Sequence, residues 1–133
     1  QNHHQLVAQA KAMVLCHEMI PGAKIGPAPN ISLVYPASCK PEDVLAAQRF
    51  MHGKYWFTHV HVNGKYPSWM WKKWERKGYK LDITDEDLAI LKEGVVDYIS
   101  LSYYMSYAVE AKEDNPYFDY REKDFVRNER RRT

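Results

Sequence analysis

Long apolar runs are missing from this chain. None of its 133 residues falls in a stretch approaching the roughly 20 consecutive apolar side chains that a membrane-spanning helix needs, so no membrane partner is expected. Cysteine is scarce. Cys16 and Cys39 are too few for a disulfide scaffold, so reduced thiols are expected, with one Cys16–Cys39 bridge as the alternative. No signal-peptide pattern is present, although the chain starts at Gln1 rather than Met, so the native start is expected upstream. A cytoplasmic location follows as the expectation. Net charge is also small, +2 from 19 basic and 17 acidic residues. The segment Arg121–Thr133 holds six basic and three acidic residues, a surplus of +3, so the rest of the chain stands at −1. A near-neutral body argues against a nucleic-acid partner.

Acid/base pairs are absent as well. The acidic residues gather in helix first turns (Glu42, Asp43, Asp85, Glu86, Asp87), where the dipole accounts for them, or in the tail. Asp97 opens a strand, the stabilising rather than the reactive end of an α/β barrel. His59 and His61 alternate as metal ligands on a strand would, but no Cys, Asp or Glu supports them at ligand spacing. The neighbours His3-His4 and Cys16-His17 would point about 100° apart on a helix and chelate poorly. No metal and no cofactor are expected. Surface or packing histidines are the reading.

Aromatic residues, by contrast, make up 14% of the chain, ten of them Tyr and four Trp. Rings in this number serve a large core or a site that stacks on flat ligands. Trp69, Trp71 and Trp74 interleave with Lys72, Lys73, Arg76 and Lys77. That pattern fits a stacking surface for nucleic acid, or a helix whose aromatic stripe packs while its lysines are solvated. The second fits the charge balance better.

Periodicity predicts a helix from Asn2 to Ile20, with Leu6, Ala10, Met13, Val14 and His17 on one face, ended by Pro21-Gly22. Lys24–Ile31 is expected to be a strand, made irregular by Pro27 and Pro29, followed by a loop over 32–40. Pro41-Glu42-Asp43 opens a helix that ends near His52-Gly53, with Val44, Leu45, Ala47 and Phe50 as its apolar positions. Tyr55–Val62 suits a strand or a short helix, and Asn63-Gly64 a turn. Another helix starts at Tyr66-Pro67-Ser68 and stops at Gly78. Thr84, with Asp87 three residues on and Ile83 and Leu88 flanking, predicts a capped and stapled helix ending at Gly94.

Val95–Ser102 then reads as a strand apolar on both faces, as in a buried parallel sheet. Tyr103 and Tyr104 end it where α/β barrels build their sites, either as aromatic packing or as phenols that position a catalytic carboxylate. From Lys112 onward the chain is polar and charged. Two convincing strands cannot form a sheet alone, so the expected fold is α/β, a section of a larger parallel sheet with surrounding helices.

Several segments together resemble glycoside hydrolase family 1, in its 6-phospho-β-glucosidase branch. They are His3-His4-Gln5-Leu6-Val7-Ala8, Lys24-Ile25-Gly26-Pro27, the run from Tyr35-Pro36-Ala37-Ser38 to Gln48, Gly64-Lys65-Tyr66-Pro67-Ser68, and Leu91 through Ser106. The resemblance is collinear over residues 2 to about 110, and the ending Ser102-Tyr103-Tyr104-Met105 points to the phospho-branch. It implies a (β/α)₈ barrel, of which this chain matches the fourth helix through the sixth strand. Residues 1–133 would form one partial barrel domain, 1–110 barrel-like and 111–133 a polar, basic tail.

The resemblance implies a retaining enzyme acting on phosphorylated β-glucosides with two glutamates. One belongs to an Asn-Glu-Pro-like motif and the other to a Glu-Asn-Gly motif. Neither motif occurs here, so no catalytic residue is assigned and the chain is expected to be inactive alone. Tyr104 matches the tyrosine that hydrogen-bonds the family's nucleophile, and Tyr103 stands beside it. Asn30 matches a polar residue near the sugar at the end of the fifth strand. His59 departs from the family, where Asp is common, and the match fades beyond Asn115-Pro116-Tyr117. A barrel section with bare apolar faces is expected to self-associate.

Overall fold

A computed structural model describes residues 1–112 and 125–126. The expected tail lies outside the described residues apart from Ala111, Lys112, Phe125 and Val126. In chain order the elements are α1 (Asn2–Met19), β1 (Leu33–Pro36), α2 (Pro41–Asn63), α3 (Ser68–Arg76), α4 (Asp85–Glu93), β2 (Ser106–Val109) and β3 (Phe125–Val126). The sheet order is β1-β2-β3, with β1 and β2 parallel and β3 antiparallel to β2. Contacts divide the chain into two compact units. The first holds residues 1–29 and 56–101, the second residues 30–55 and those from 102 onward.

The first unit is built on helices. Leu6, Val7 and Ala10 of α1 recur on one face and meet Trp56 and Val60 of α2, Tyr66, Met70 of α3 and Leu91 of α4. Each fully buried large side chain contributes roughly 1.5–3 kcal/mol. Trp69 and Trp74 of the aromatic stripe pack on this core, Trp74 meeting Tyr66 at 5.1 Å and Trp56 at 6.0 Å, both near edge-on, whereas Trp71 is exposed. At the start of α4, Thr84 Oγ accepts the Asp87 N–H at 3.1 Å while Asp87 Oδ2 accepts the Thr84 N–H at 3.2 Å. This is the expected capping box, with Ile83 and Leu88 packed on the core as the staple. Gly94 ends α4 for a different reason than expected. Its φ is −84°, so no left-handed turn demands glycine; a Cβ there would run into the backbone of Ala10 on α1.

The segment Tyr55–Val62 is helical. α2 runs unbroken through Gly53, because Trp56 and Val60 are one helical turn apart and both are buried. His59 and His61 therefore sit about 200° apart around the axis and share no face.

In the second unit, β1 and β2 lie against the first half of α2, with Val34, Val109, Ala46, Ala47 and Phe50 as the core. Val44, expected on this face, is 49% exposed. The two expected strands need correction. Lys24–Ile31 and Val95–Ser102 run side by side but form no continuous ladder. Asp97 N–H donates to Ile25 O (3.0 Å), Ser100 N–H to Pro27 O (3.1 Å) and Ile31 N–H to Ser102 O (3.2 Å). Pro27 and Pro29 have no N–H to fill the gaps, which leaves a single parallel bridge, Asn30 to Ser102. Regular pairing begins beyond it, at Leu33–Pro36 in the expected loop. The Val95–Ser102 run is not buried on both faces either: Tyr98 is 50% and Leu101 58% exposed.

Candidate active site

The site residues expected from sequence meet in the second unit. The bridge pairs Asn30 with Ser102, and the next pairing is Leu33 with Ser106. Two residues, Ile31 and Ser32, thus stand opposite three, Tyr103, Tyr104 and Met105. One surplus residue between two fixed pairings is a β-bulge in all but name, a device that re-aims side chains at strand ends. It turns the tyrosines outward, Tyr103 to 46% and Tyr104 to 76% exposure, beside the exposed Asn30. Ile31 and Ser32 stay buried. Tyr107 Oη reaches Met105 Sδ at 2.7 Å.

Below the bulge, Asp43 ties the ends of both parallel strands together, a role sequence reasoning missed. It sits in the first turn of α2 and is 3% exposed. Oδ2 accepts the Ser38 hydroxyl (2.5 Å) and Oδ1 the Ala111 N–H (2.7 Å). These two bonds, Ala111 first, hold the carboxyl below the usual carboxylate range. Ser38 lies just after β1 and Ala111 just after β2. Ala37 N–H adds a bond to Val109 O at 2.9 Å. The acid in a helix first turn was visible in the sequence; its distant partner was not.

Two further polar clusters occupy the first unit. His3 Nδ1 lies 2.7 Å from Tyr66 Oη, and Nε2 lies 3.1 Å from Asp87 Oδ2. An ionised carboxylate can only accept, so Nε2–H donates to Asp87, and in the neutral imidazole Nδ1 accepts from the phenol. Burial, with Asp87 nearby, pushes the Tyr66 phenol up to about 12. The His3 hydrogen bond and the Thr84 cap draw the Asp87 carboxyl down to about 2. A phenol so reluctant to ionise is a structural donor, not a nucleophile. Asp97 accepts from Ile25 N–H (2.9 Å), binds Lys24 Nζ (3.0 Å) and contacts His17 Nε2 (2.8 Å), and these bonds depress its carboxyl. Cys16 and Cys39 are both free. Among the described residues, no three His, Cys, Asp or Glu side chains are grouped as metal ligands, and no helix is long and apolar enough to cross a membrane.

An exposed tyrosine pair, re-aimed by a bulge just before a parallel strand, is a site architecture that can be compared with known proteins. The model of Glycosyl hydrolase family 1 matches residues 1–132. The chain belongs to that family. It is 45% identical over 112 residues to a phospho-cellobiase of Klebsiella oxytoca, covering 84% of this chain and 24% of that protein. It is 43% identical over 115 residues to an aryl-phospho-β-D-glucosidase of Bacillus subtilis, covering 85% and 24%. The chain thus spans about a quarter of the length of the curated relatives it matches. Among solved structures, a β-glucosidase from Exiguobacterium marinum superposes with a TM-score of 0.71 at 26% identity, covering 85% of this chain and 26% of that one. The α/β fold is a section of a (β/α)₈ glycosidase barrel.

Proposed function

We propose that this chain supplies one wall of the active site of a retaining phospho-β-glucosidase acting in the cytoplasm on phosphorylated β-glucosides. The observation that carries this reading is the outward pair Tyr103-Tyr104 next to Asn30, between the Asn30–Ser102 bridge and the start of β2, together with 40–45% identity to several phospho-β-glucosidases. A retaining enzyme holds its two carboxyl groups about 5–5.5 Å apart, one as nucleophile and one as acid/base. Neither glutamate motif is present in these 133 residues. The wall's part is positioning: the Tyr104 phenol donates to the nucleophile carboxylate, while Tyr103 and Asn30 line the sugar. No cofactor, metal or nucleic acid enters this scheme. Residues 1–133 act as one partial barrel domain, with 111–133 as its polar tail.

The purified chain is expected to release no nitrophenol from p-nitrophenyl 6-phospho-β-glucoside above buffer; clear turnover would sink the reading. In a whole enzyme that contains this segment, Tyr104→Phe should lower kcat about tenfold or more with little change in KM. That is the scale of losing a hydrogen bond to a charged group, roughly 1.5–3 kcal/mol. An unchanged kcat would remove Tyr104 from its role.

A second reading rests on exposed apolar side chains. Tyr98 and Leu101 in the first unit and Tyr104 and Met105 in the second are each at least 50% exposed. Faces of this kind favour association with further copies or with complementary barrel sections.

A further inference from the structure

Asn63-Gly64 is the one Asn-Gly step in the chain. This dipeptide is chemically fragile. The Gly backbone nitrogen attacks the Asn side-chain carbonyl carbon, the C–NH₂ bond breaks, ammonia leaves and a succinimide closes. Water then opens the ring to Asp or isoAsp. The attack needs a free, acidic Gly N–H and an extended backbone at Asn.

The fold withholds both. Asn63 is the last residue of α2, so its backbone is helical. Gly64 N–H donates to Val60 O at 2.8 Å. The Asn63 Nδ2, which must depart as ammonia, donates to His59 O at 3.0 Å. Gly64 itself is buried at φ +62°, where a Cβ would meet Lys92 Cα at 2.5 Å and Leu91 O at 2.8 Å. The step is therefore closed in by its own helix end and by the last turn of α4.

We propose that Asn63-Gly64 is a conformationally gated modification site: it is inert while the last turn of α2 is formed and converts to Asp or isoAsp only when that turn opens. Conversion is then one-way. An aspartate in place of Asn63 would put a negative charge at the negative end of the helix and lose the donor to His59 O. IsoAsp would add a backbone carbon beside Gly64, where no space is left.

The test is peptide mapping of the whole chain after incubation at mildly alkaline pH, with and without concentrated urea. Trypsin releases residues 55–65, whose only Asn is Asn63, and a gain of one dalton with isoaspartyl labelling marks conversion. Without urea the rate should be at least about tenfold lower, the factor given by roughly 1.4 kcal/mol of opening free energy. Leu91→Ala, which loosens the packing behind Gly64, should raise the rate without urea and leave the rate in urea unchanged. A native rate within tenfold of the urea rate, or one that Leu91→Ala does not raise, would overturn the proposal.

Discussion

Tyr66, His3 and Asp87 come from segments 63 and 84 residues apart, and each is placed so that one proton position satisfies all three. Their contributions should therefore be coupled. Tyr66→Phe removes one neutral hydrogen bond and should cost about 0.5–1.5 kcal/mol, whereas His3→Ala leaves a buried hydroxyl without an acceptor and should cost about 1–3 kcal/mol. Urea unfolding of the two variants and the double variant should give a coupling of at least about 0.5 kcal/mol; additive losses would mean that the three residues do not act as a unit. Asp87 adds a pH dependence of known sign. Its carboxyl is drawn from 3.8 to about 2 in the folded chain, so the unfolded chain binds that proton more readily. The contribution is complete above about pH 5 and is lost as pH falls through about 4 to 2. Thermal melts across that window should drop less steeply for Asp87→Asn than for the parent. None of this was legible beforehand. The sequence shows that His3 and His4 cannot chelate together, but sequence spacing carries no word of partners so distant.

Among the elements, the ones defined by short-range chemistry are the ones that could be read in advance. The α4 cap needs Thr84 and Asp87 three residues apart, and that spacing is the whole signal. β1 is the opposite case. Leu33–Pro36 is four residues long and is a strand only because Ser106–Val109, far along the chain, lies beside it. Lys24–Ile31 had the composition of a strand but lacked donors at Pro27 and Pro29. The partial ladder at Val95–Ser102 follows from that shortage on the facing segment. Gly94 was recognised as a helix stop, while its reason, contact with Ala10, came from tertiary packing. Gly94→Ala should accordingly cost about 1–3 kcal/mol by overpacking α1 against α4. A melting temperature equal to that of the parent would show instead that α1 can shift to admit a methyl group.

For the molecule as a whole, the family and the barrel-section fold were legible because the matching motifs are collinear and specific. What the motifs left open was which apolar groups the section covers by itself. Light scattering over a range of concentrations should show species larger than the 15.7 kDa monomer. A steady monomer at high concentration would count against association through Tyr98, Leu101 and their neighbours. The mismatch of two residues against three at Tyr103–Met105 has a consequence for sequence change in this region. The bulge absorbs the surplus residue, so the pairings on either side of it keep their phase while the side chains between them are re-aimed. Deleting any one of Tyr103, Tyr104 or Met105 would leave two residues opposite two, so β2 would keep its pairing with β1 and Val109 its place against Phe50 and Ala46, while the bulge that turns the tyrosines outward would be lost. Substitutions at these three positions change a surface; the loss of one of them would remove the bend that presents it.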